Sequence, residues 1–159
     1  MRCDASPSGV GAILFHKGRP WKYWADTITD EDLAFLKAER KPEWQPEFEL
    51  LGIVVSLKIW ASLLELQSVT IHGGALAALY AADKFSSKSP AMNFIAGELG
   101  LLVEAKSVHI TCKRVPESVN LDADALSRLA EGRALPRSLL GVDHVPAPVR
   151  DESSYMQKR

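Results

Sequence analysis

Three acidic residues are the first candidates for chemistry in this sequence. Asp4 stands in Asp-Ala-Ser, Glu49 in Glu-Leu-Leu, and Asp124 in the segment NLDADALSR of residues 120–128. Carboxylate oxygens are the ligands that hard divalent cations prefer. Each residue also has a structural interpretation: a turn residue, a solvent-facing helix residue and an acid favoured by the helix dipole. Their order and spacing must decide between the two.

Cysteine and histidine supply no alternative metal site. Cys3 and Cys112 are too few for a four-ligand zinc site, and they do not resemble a secreted disulfide framework. His16, His109 and His144 are scattered without ligand spacing, so we expect them at the surface or in the tail.

Two further groups of side chains suit contact with nucleic acid. The first is an aromatic group made of Trp21, Tyr23 and Trp24. These rings could pack within a strand, which we favour, or form a platform on which bases stack. The second group is basic and could either follow a phosphate backbone or form an ordinary solvated surface. It consists of Lys84, Lys88, Lys106, Lys113 and Arg114.

The first part of the chain reads as a hairpin followed by helices. Residues 9–15 and 21–28 predict antiparallel strands around a turn at Lys17-Gly18. Thr29 and the acids after it predict a short capped helix to residue 38. Beyond Lys41-Pro42, apolar residues spaced by three and four predict a long helix over 48–66 with one face in the core.

The second part alternates strands and helices. We predict strands over 67–72 and 108–112, and helices over 75–85, from Ser89-Pro90 to 103, and over 121–129. In the helix that begins at Ser89-Pro90, Gly97 and Gly100 would each reduce stability by about 1 kcal/mol relative to alanine if nothing packs against them. A meander followed by strand–helix alternation predicts an α/β protein with a mixed sheet flanked by helices.

Composition indicates one domain of ordinary charge. The 159 residues are 47% hydrophobic, with a formal net charge of -1, so no global basic field exists to drive nucleic-acid binding. No apolar run is long enough to span a bilayer and no targeting signal is seen, so we expect an intracellular protein of the cytoplasm or nucleus, without membrane contact. We expect a domain over 1–131 and a flexible, proline-containing tail over 132–159.

Taken together and in order, Asp4-Ala5-Ser6, Glu49-Leu50-Leu51 and NLDADALSR resemble the ribonuclease H-like domain of long-terminal-repeat retrotransposon polyproteins. The segment of residues 86–99 resembles the same family's third-helix region. The resemblance covers roughly residues 3–130. It implies a ribonuclease H-like fold with a five-stranded mixed sheet, whose first strand we expect to be truncated because little precedes Asp4.

The resemblance also implies an activity: cleavage of RNA in RNA/DNA hybrids by two-metal hydrolysis, with a reverse transcriptase domain ancestrally upstream. In the family, acidic side chains hold two divalent ions, usually Mg²⁺ or alternatively Mn²⁺. The matching positions, catalytic and metal-binding, are Asp4, Glu49 and Asp124. Several carboxylates are required because two ions about 4 Å apart bring four positive charges together.

Two positions depart from the family pattern. The alignment places Gly74 where a fourth carboxylate, an aspartate, belongs. Arg114 and Glu117 stand where the family usually shows a histidine and a glycine. Asp83 lies about 13 Å along the helix from Gly74, Asp122 faces away from Asp124, and His72 is the remaining local substitute, although Mg²⁺ prefers oxygen.

Three hypotheses follow. The first is a domain descended from a hybrid-cleaving ribonuclease and now catalytically impaired. The second is an enzyme still active with three carboxylates. The third is a non-catalytic module that binds nucleic acid or protein. An RNA/DNA hybrid is the expected partner, and binding should be weak because the chain is nearly neutral.

Overall fold

The computed structural model, which describes residues 1–151 and Tyr155, is an α/β protein with a six-stranded mixed sheet flanked by helices. The sheet order is β5-β4-β1-β2-β3-β6. The first three strands form an antiparallel meander, and β4, β5 and β6 each pair in parallel with a neighbour. The strands are β1 Arg2–Ala5, β2 Gly9–His16, β3 Arg19–Thr27, β4 Ser68–Gly73, β5 His109–Arg114 and β6 Asp143–His144.

The helices begin close to where the sequence predicts them. They are α1 Asp30–Leu36, α2 Gln45–Ile59, α3 Ala61–Leu64, α4 Leu76–Lys84, α5 Pro90–Ala105 and α6 Leu121–Ser127. The cap of α1 is confirmed: the Thr29 hydroxyl accepts from the Asp32 backbone N–H, and the Asp32 carboxylate accepts from the Thr29 N–H. Ser89 precedes α5 as expected, but its side chain makes no capping bond.

The sheet separates two cores because successive side chains of a strand point to opposite faces. Ala12, Leu14 and Trp24 join the larger core beneath α2, α4 and α5. Ile13 and Tyr23 join a smaller core beneath α6. The favoured packing interpretation of the aromatic cluster is therefore right for Tyr23 and Trp24, which are 8% and 0% exposed. It is wrong for Trp21, which is 40% exposed.

The long central helix differs from its prediction in two ways. It ends at Ile59, and Trp60 separates it from the short α3. Every residue from position 48 to 57 is buried, so the expectation of a single core face was wrong. The reason is tertiary: α2 packs against β1 and β2, against α4 and α5, and beside the C-terminal residues Val145 and Pro146.

Glycines let two helices approach the sheet closely. A Cβ at Gly52 of α2 would lie 2.6 Å from Cγ2 of Val10, and one at Gly11 of β2 would lie 2.5 Å from Cβ of Leu126. Both distances are shorter than real contacts, so larger residues would push α2 and α6 away. In α5, Gly100 is packed against Phe85, whereas a Cβ at Gly97 would meet nothing within 4 Å.

The part of the C-terminal segment that the structure describes packs against the rest of the domain. Asp143 and His144 form β6 beside β3, which raises the strand count from the expected five to six. Leu139, Arg150 and Tyr155 are buried at 1%, 4% and 1% exposure. The sequence did not predict these contacts, because isolated buried side chains in a proline-containing segment produce no periodic hydrophobic pattern.

Candidate functional site

The three predicted acids line one cavity at one end of the sheet. The cavity has a volume of about 1170 Å³, and Asp4, Glu49, Gly74 and Asp124 all contribute to its wall. Asp4 comes from β1, Glu49 from the first half of α2 and Asp124 from α6, and Gly74 directly follows β4. The fold thus gathers residues 120 positions apart in the sequence.

Among the three acids, Asp4 has the pKa that is shifted furthest from its ordinary value. Its Oδ2 accepts a hydrogen bond from the Ser127 hydroxyl at 3.2 Å. Burial, followed by the negative charges of Glu49 and Asp124, raises the pKa of Asp4 to about 7. The Asp4 side chain is therefore held close to half-protonated at neutral pH.

Glu49 is buried, with 2% exposure, and is tied to the start of α4. Its Oε2 accepts a hydrogen bond from the Ala75 backbone N–H at 2.8 Å, at a helix end that no side chain of its own caps. Burial raises the pKa of Glu49, although the bonds from Ala75 and Gly74 oppose the shift. The carboxylate thus serves as the cap of α4.

Asp124 is paired with two guanidinium groups. Its Oδ1 accepts from Nε of Arg128 at 3.0 Å, and its Oδ2 accepts from Nη1 of Arg133 at 2.5 Å. Burial acts to raise its pKa, but the hydrogen bonds and charge of the two arginines outweigh it, and the pKa is lowered. Arg128 also contacts Glu131 at 3.4 Å.

Gly74 leaves room for a side chain at the edge of the cavity. A Cβ built there would lie 3.5 Å from Oε1 of Glu49, which is an ordinary contact. Its carbonyl oxygen accepts a long hydrogen bond from Nε of Arg114 at 3.4 Å. There is therefore room for a Cβ at this position, and an aspartate there would place a further negative charge beside Glu49.

The side chains in this arrangement do not fit a pair of divalent cations. Asp124 directs each of its oxygens at an arginine, one oxygen of Glu49 caps α4, and Gly74 offers no side-chain oxygen. Within residues 1–151 and Tyr155, no three His, Cys, Asp or Glu side chains come together in a way that could hold a metal ion. Two cations would therefore have to displace Arg128 and Arg133.

None of the considered substitutes for the fourth carboxylate lines this cavity. Asp83 is ion-paired with Lys84 at 3.4 Å and lies beside another pocket. Asp122 accepts a hydrogen bond from the Ser138 hydroxyl at 2.5 Å. His72 is absent from the lining residues, and burial lowers its pKa.

Sequence reasoning missed the cations around the site. Arg128 belongs to the quoted NLDADALSR segment but received no role, and Arg133 fell in the expected tail. Of the five residues in the suggested basic edge, Arg114 lines the cavity. The available signal was the spacing of Arg128 four residues after Asp124, which pairs charges on a helix.

The scattered histidines lie where they were expected. His16, His109 and His144 are all exposed. No helix among residues 1–151 and 155 is both long and apolar enough to cross a membrane. No family model, curated protein or solved structure matches this chain.

Proposed function

We propose that this chain is a ribonuclease H-like domain of retroelement origin that has lost most of its capacity to hydrolyse RNA in RNA/DNA hybrids. The observation that carries the proposal is the single cavity shared by Asp4, Glu49 and Asp124, with Gly74 at the position expected for a fourth carboxylate. The family resemblance implied these four positions from the sequence; Asp4, Glu49 and Asp124 belong to three different elements, and Gly74 directly follows a fourth.

The mixed sheet supports the fold part of this proposal. An antiparallel meander supplies Asp4, and two parallel strands follow it, β4 leading to Gly74 and β5 to Arg114. A sheet of this kind suits the resemblance, which implied five strands. The short β6 is an addition from the C-terminal segment.

The electrostatics of the cavity support the impairment. Burial, followed by the charges of acidic neighbours, raises the pKa of Asp4 to about 7, while Asp124 is neutralised by Arg128 and Arg133. A site for two divalent cations would instead need ionised, unpaired carboxylates. Internal arginines therefore occupy the electrostatic role that metal ions have in an active enzyme.

The decisive experiment is hydrolysis of a labelled RNA/DNA hybrid in Mg²⁺ and in Mn²⁺. We expect the natural protein to show no cleavage above background. Gly74→Asp should gain cleavage, and adding Arg133→Gln should increase it further because Asp124 is then freed. Gly74→Asn is the matched control, since it fills the same space without charge and should stay inactive.

One result would overturn the impairment. Cleavage by the natural protein that disappears in Asp124→Asn would establish an active enzyme with three carboxylates. Failure of Gly74→Asp, alone and with Arg133→Gln, in a protein that folds normally would count against the hybrid-ribonuclease ancestry of the cavity.

A further inference from the structure

The tip of the β2–β3 hairpin concentrates positive charge in a nearly neutral protein. The seven residues from His16 to Lys22 include Lys17, Arg19 and Lys22 and contain no acidic residue. Lys17 and Arg19 are exposed, and neither has an ion pair among the described residues. The chain as a whole has a formal net charge of -1, so this is a local field.

An exposed indole ring lies within this charged tip. Trp21 is 40% exposed and belongs to neither core, whereas Trp24 and Trp60 are 0% and 1% exposed. Its ring centroid is 5.3 Å from that of His16, and Nζ of Lys22 lies 5.3 Å from it. Lys22 is itself anchored to Asp143 at 2.6 Å, so neighbouring side chains support the ring while much of it faces solvent.

We propose that this hairpin tip, the Trp21 platform (His16, Lys17, Arg19, Trp21 and Lys22), binds single-stranded nucleic acid. The indole stacks on a base, while Lys17 and Arg19 contact phosphate oxygens. Proteins that bind single strands without sequence preference combine these two features, because every base has a stacking face and every nucleotide has a phosphate. An acidic peptide would satisfy the cations but would leave the ring without a partner.

The platform is separate from the cavity. Ser8, which precedes β2, lines the cavity, and the tip follows the other end of that eight-residue strand. At about 3.3 Å per residue the two sites are roughly 25 Å apart. The proposal therefore does not depend on hydrolysis, and binding can be tested with divalent ions removed.

The test measures fluorescence anisotropy of a labelled oligothymidylate of about 16 nucleotides, near the upper end of known site sizes, in EDTA. Trp21→Ala should weaken binding about tenfold, and Trp21→Phe should retain most of it because a stacking ring remains. Lys17→Gln with Arg19→Gln should reduce the slope of log affinity against log salt by about 1.4, because each phosphate contact on a single strand contributes about 0.7. Lys88→Gln, an exposed cation between α4 and α5, is the matched control and should bind as the natural protein does.

An abasic oligonucleotide of the same length separates stacking from charge. We expect the natural protein to bind it about as weakly as Trp21→Ala binds oligothymidylate. Equal affinity for the abasic and thymidylate strands, or equal binding by all variants with native circular dichroism spectra, would overturn the platform. Displacement of oligothymidylate by polyglutamate at matched charge would also overturn it, in favour of a purely ionic surface. Either outcome leaves the hydrolysis test of the cavity unaffected.

Discussion

Two clusters of partly buried carboxylates in this protein have opposite electrostatics. In the cavity, burial raises the pKa values of Asp4 and Glu49, and the negative charges of Glu49 and Asp124 raise that of Asp4 further. In the C-terminal clasp, formed by Asp26, Asp32, Arg150 and Tyr155, burial also acts to raise the pKa of Asp32, but bonds from Arg150 and Tyr155 outweigh it and the pKa is lowered.

The difference separates a structural cluster from a candidate functional one. The Arg150 guanidinium contacts Asp32 at 2.8 Å and Asp26 at 2.9 Å, so the charges of the clasp are matched within the chain. Asp4 and Glu49 have no cation of their own in the ion pairs of the described residues. Acids whose pKa values are raised by burial in a cleft without a compensating cation are a common mark of a functional site.

The largest expected effect comes from breaking the clasp. Arg150→Met should lower the free energy of unfolding by about 4 kcal/mol, because it leaves Asp32, at 0% exposure, as an unpaired buried charge. Urea denaturation measures the loss. Adding Asp32→Asn should recover part of it, and Arg137→Met, an exposed position in the same segment, should change little. A loss no larger than that of Arg137→Met would mean that the clasp does not stabilise the fold.

The raised pKa of Asp4 in the cavity should make the stability of the protein depend on pH. Asp4 has a folded pKa of about 7, well above its value of 3.8 in the absence of the fold. Between these values the folded state binds more protons than the unfolded state, so this group favours folding at low pH and its contribution is lost as pH rises from about 4 to 7. Its loss amounts to on the order of 3 kcal/mol.

Asp4→Asn isolates this contribution from other titrating groups, such as His72, whose lowered pKa acts in the opposite direction. In thermal denaturation with EDTA, the natural protein should lose stability relative to Asp4→Asn between pH 4 and pH 8. Parallel stability curves would show that folding does not raise the pKa of Asp4.

Gly74→Asp should increase the difference between the cavity and the clasp, because it adds a negative charge beside acids that have no paired cation. In EDTA at neutral pH we expect it to be about 2 kcal/mol less stable than Gly74→Asn, from repulsion by Glu49 at an effective dielectric constant near 20. Millimolar Mg²⁺ should narrow this gap, because an ion that binds the folded state stabilises it. Equal melting temperatures of the two variants under both conditions would contradict the predicted crowding.

The smallest effect is expected where the two regions meet. Thr29 lines the cavity and caps α1, whose Asp32 belongs to the clasp. Thr29→Ala should cost about 1 kcal/mol through the lost cap, while Thr29→Ser should retain most of the stability because its hydroxyl still accepts from the Asp32 N–H. A loss shared equally by both variants in urea denaturation would point to the methyl group rather than the cap.

The sequence alone determined what depends on neighbours along the chain. Alternating and three-to-four spacing located the hairpin and the helices, and Thr29 with Asp32 marked the start of α1. The resemblance of three ordered acidic segments to a known family selected Asp4, Glu49 and Asp124, which line one cavity.

Only the tertiary structure decided what those acids contact and how they titrate. The capping of α4 by Glu49 and the burial of Arg150 against Asp32 join residues 26 and 118 positions apart, and Arg133 reaches Asp124 from beyond the end of α6. Such contacts leave no periodic pattern, since each depends on one side chain reaching one partner. The burial, charges and hydrogen bonds that shift the pKa values of Asp4, Glu49 and Asp124 exist only once the chain has folded.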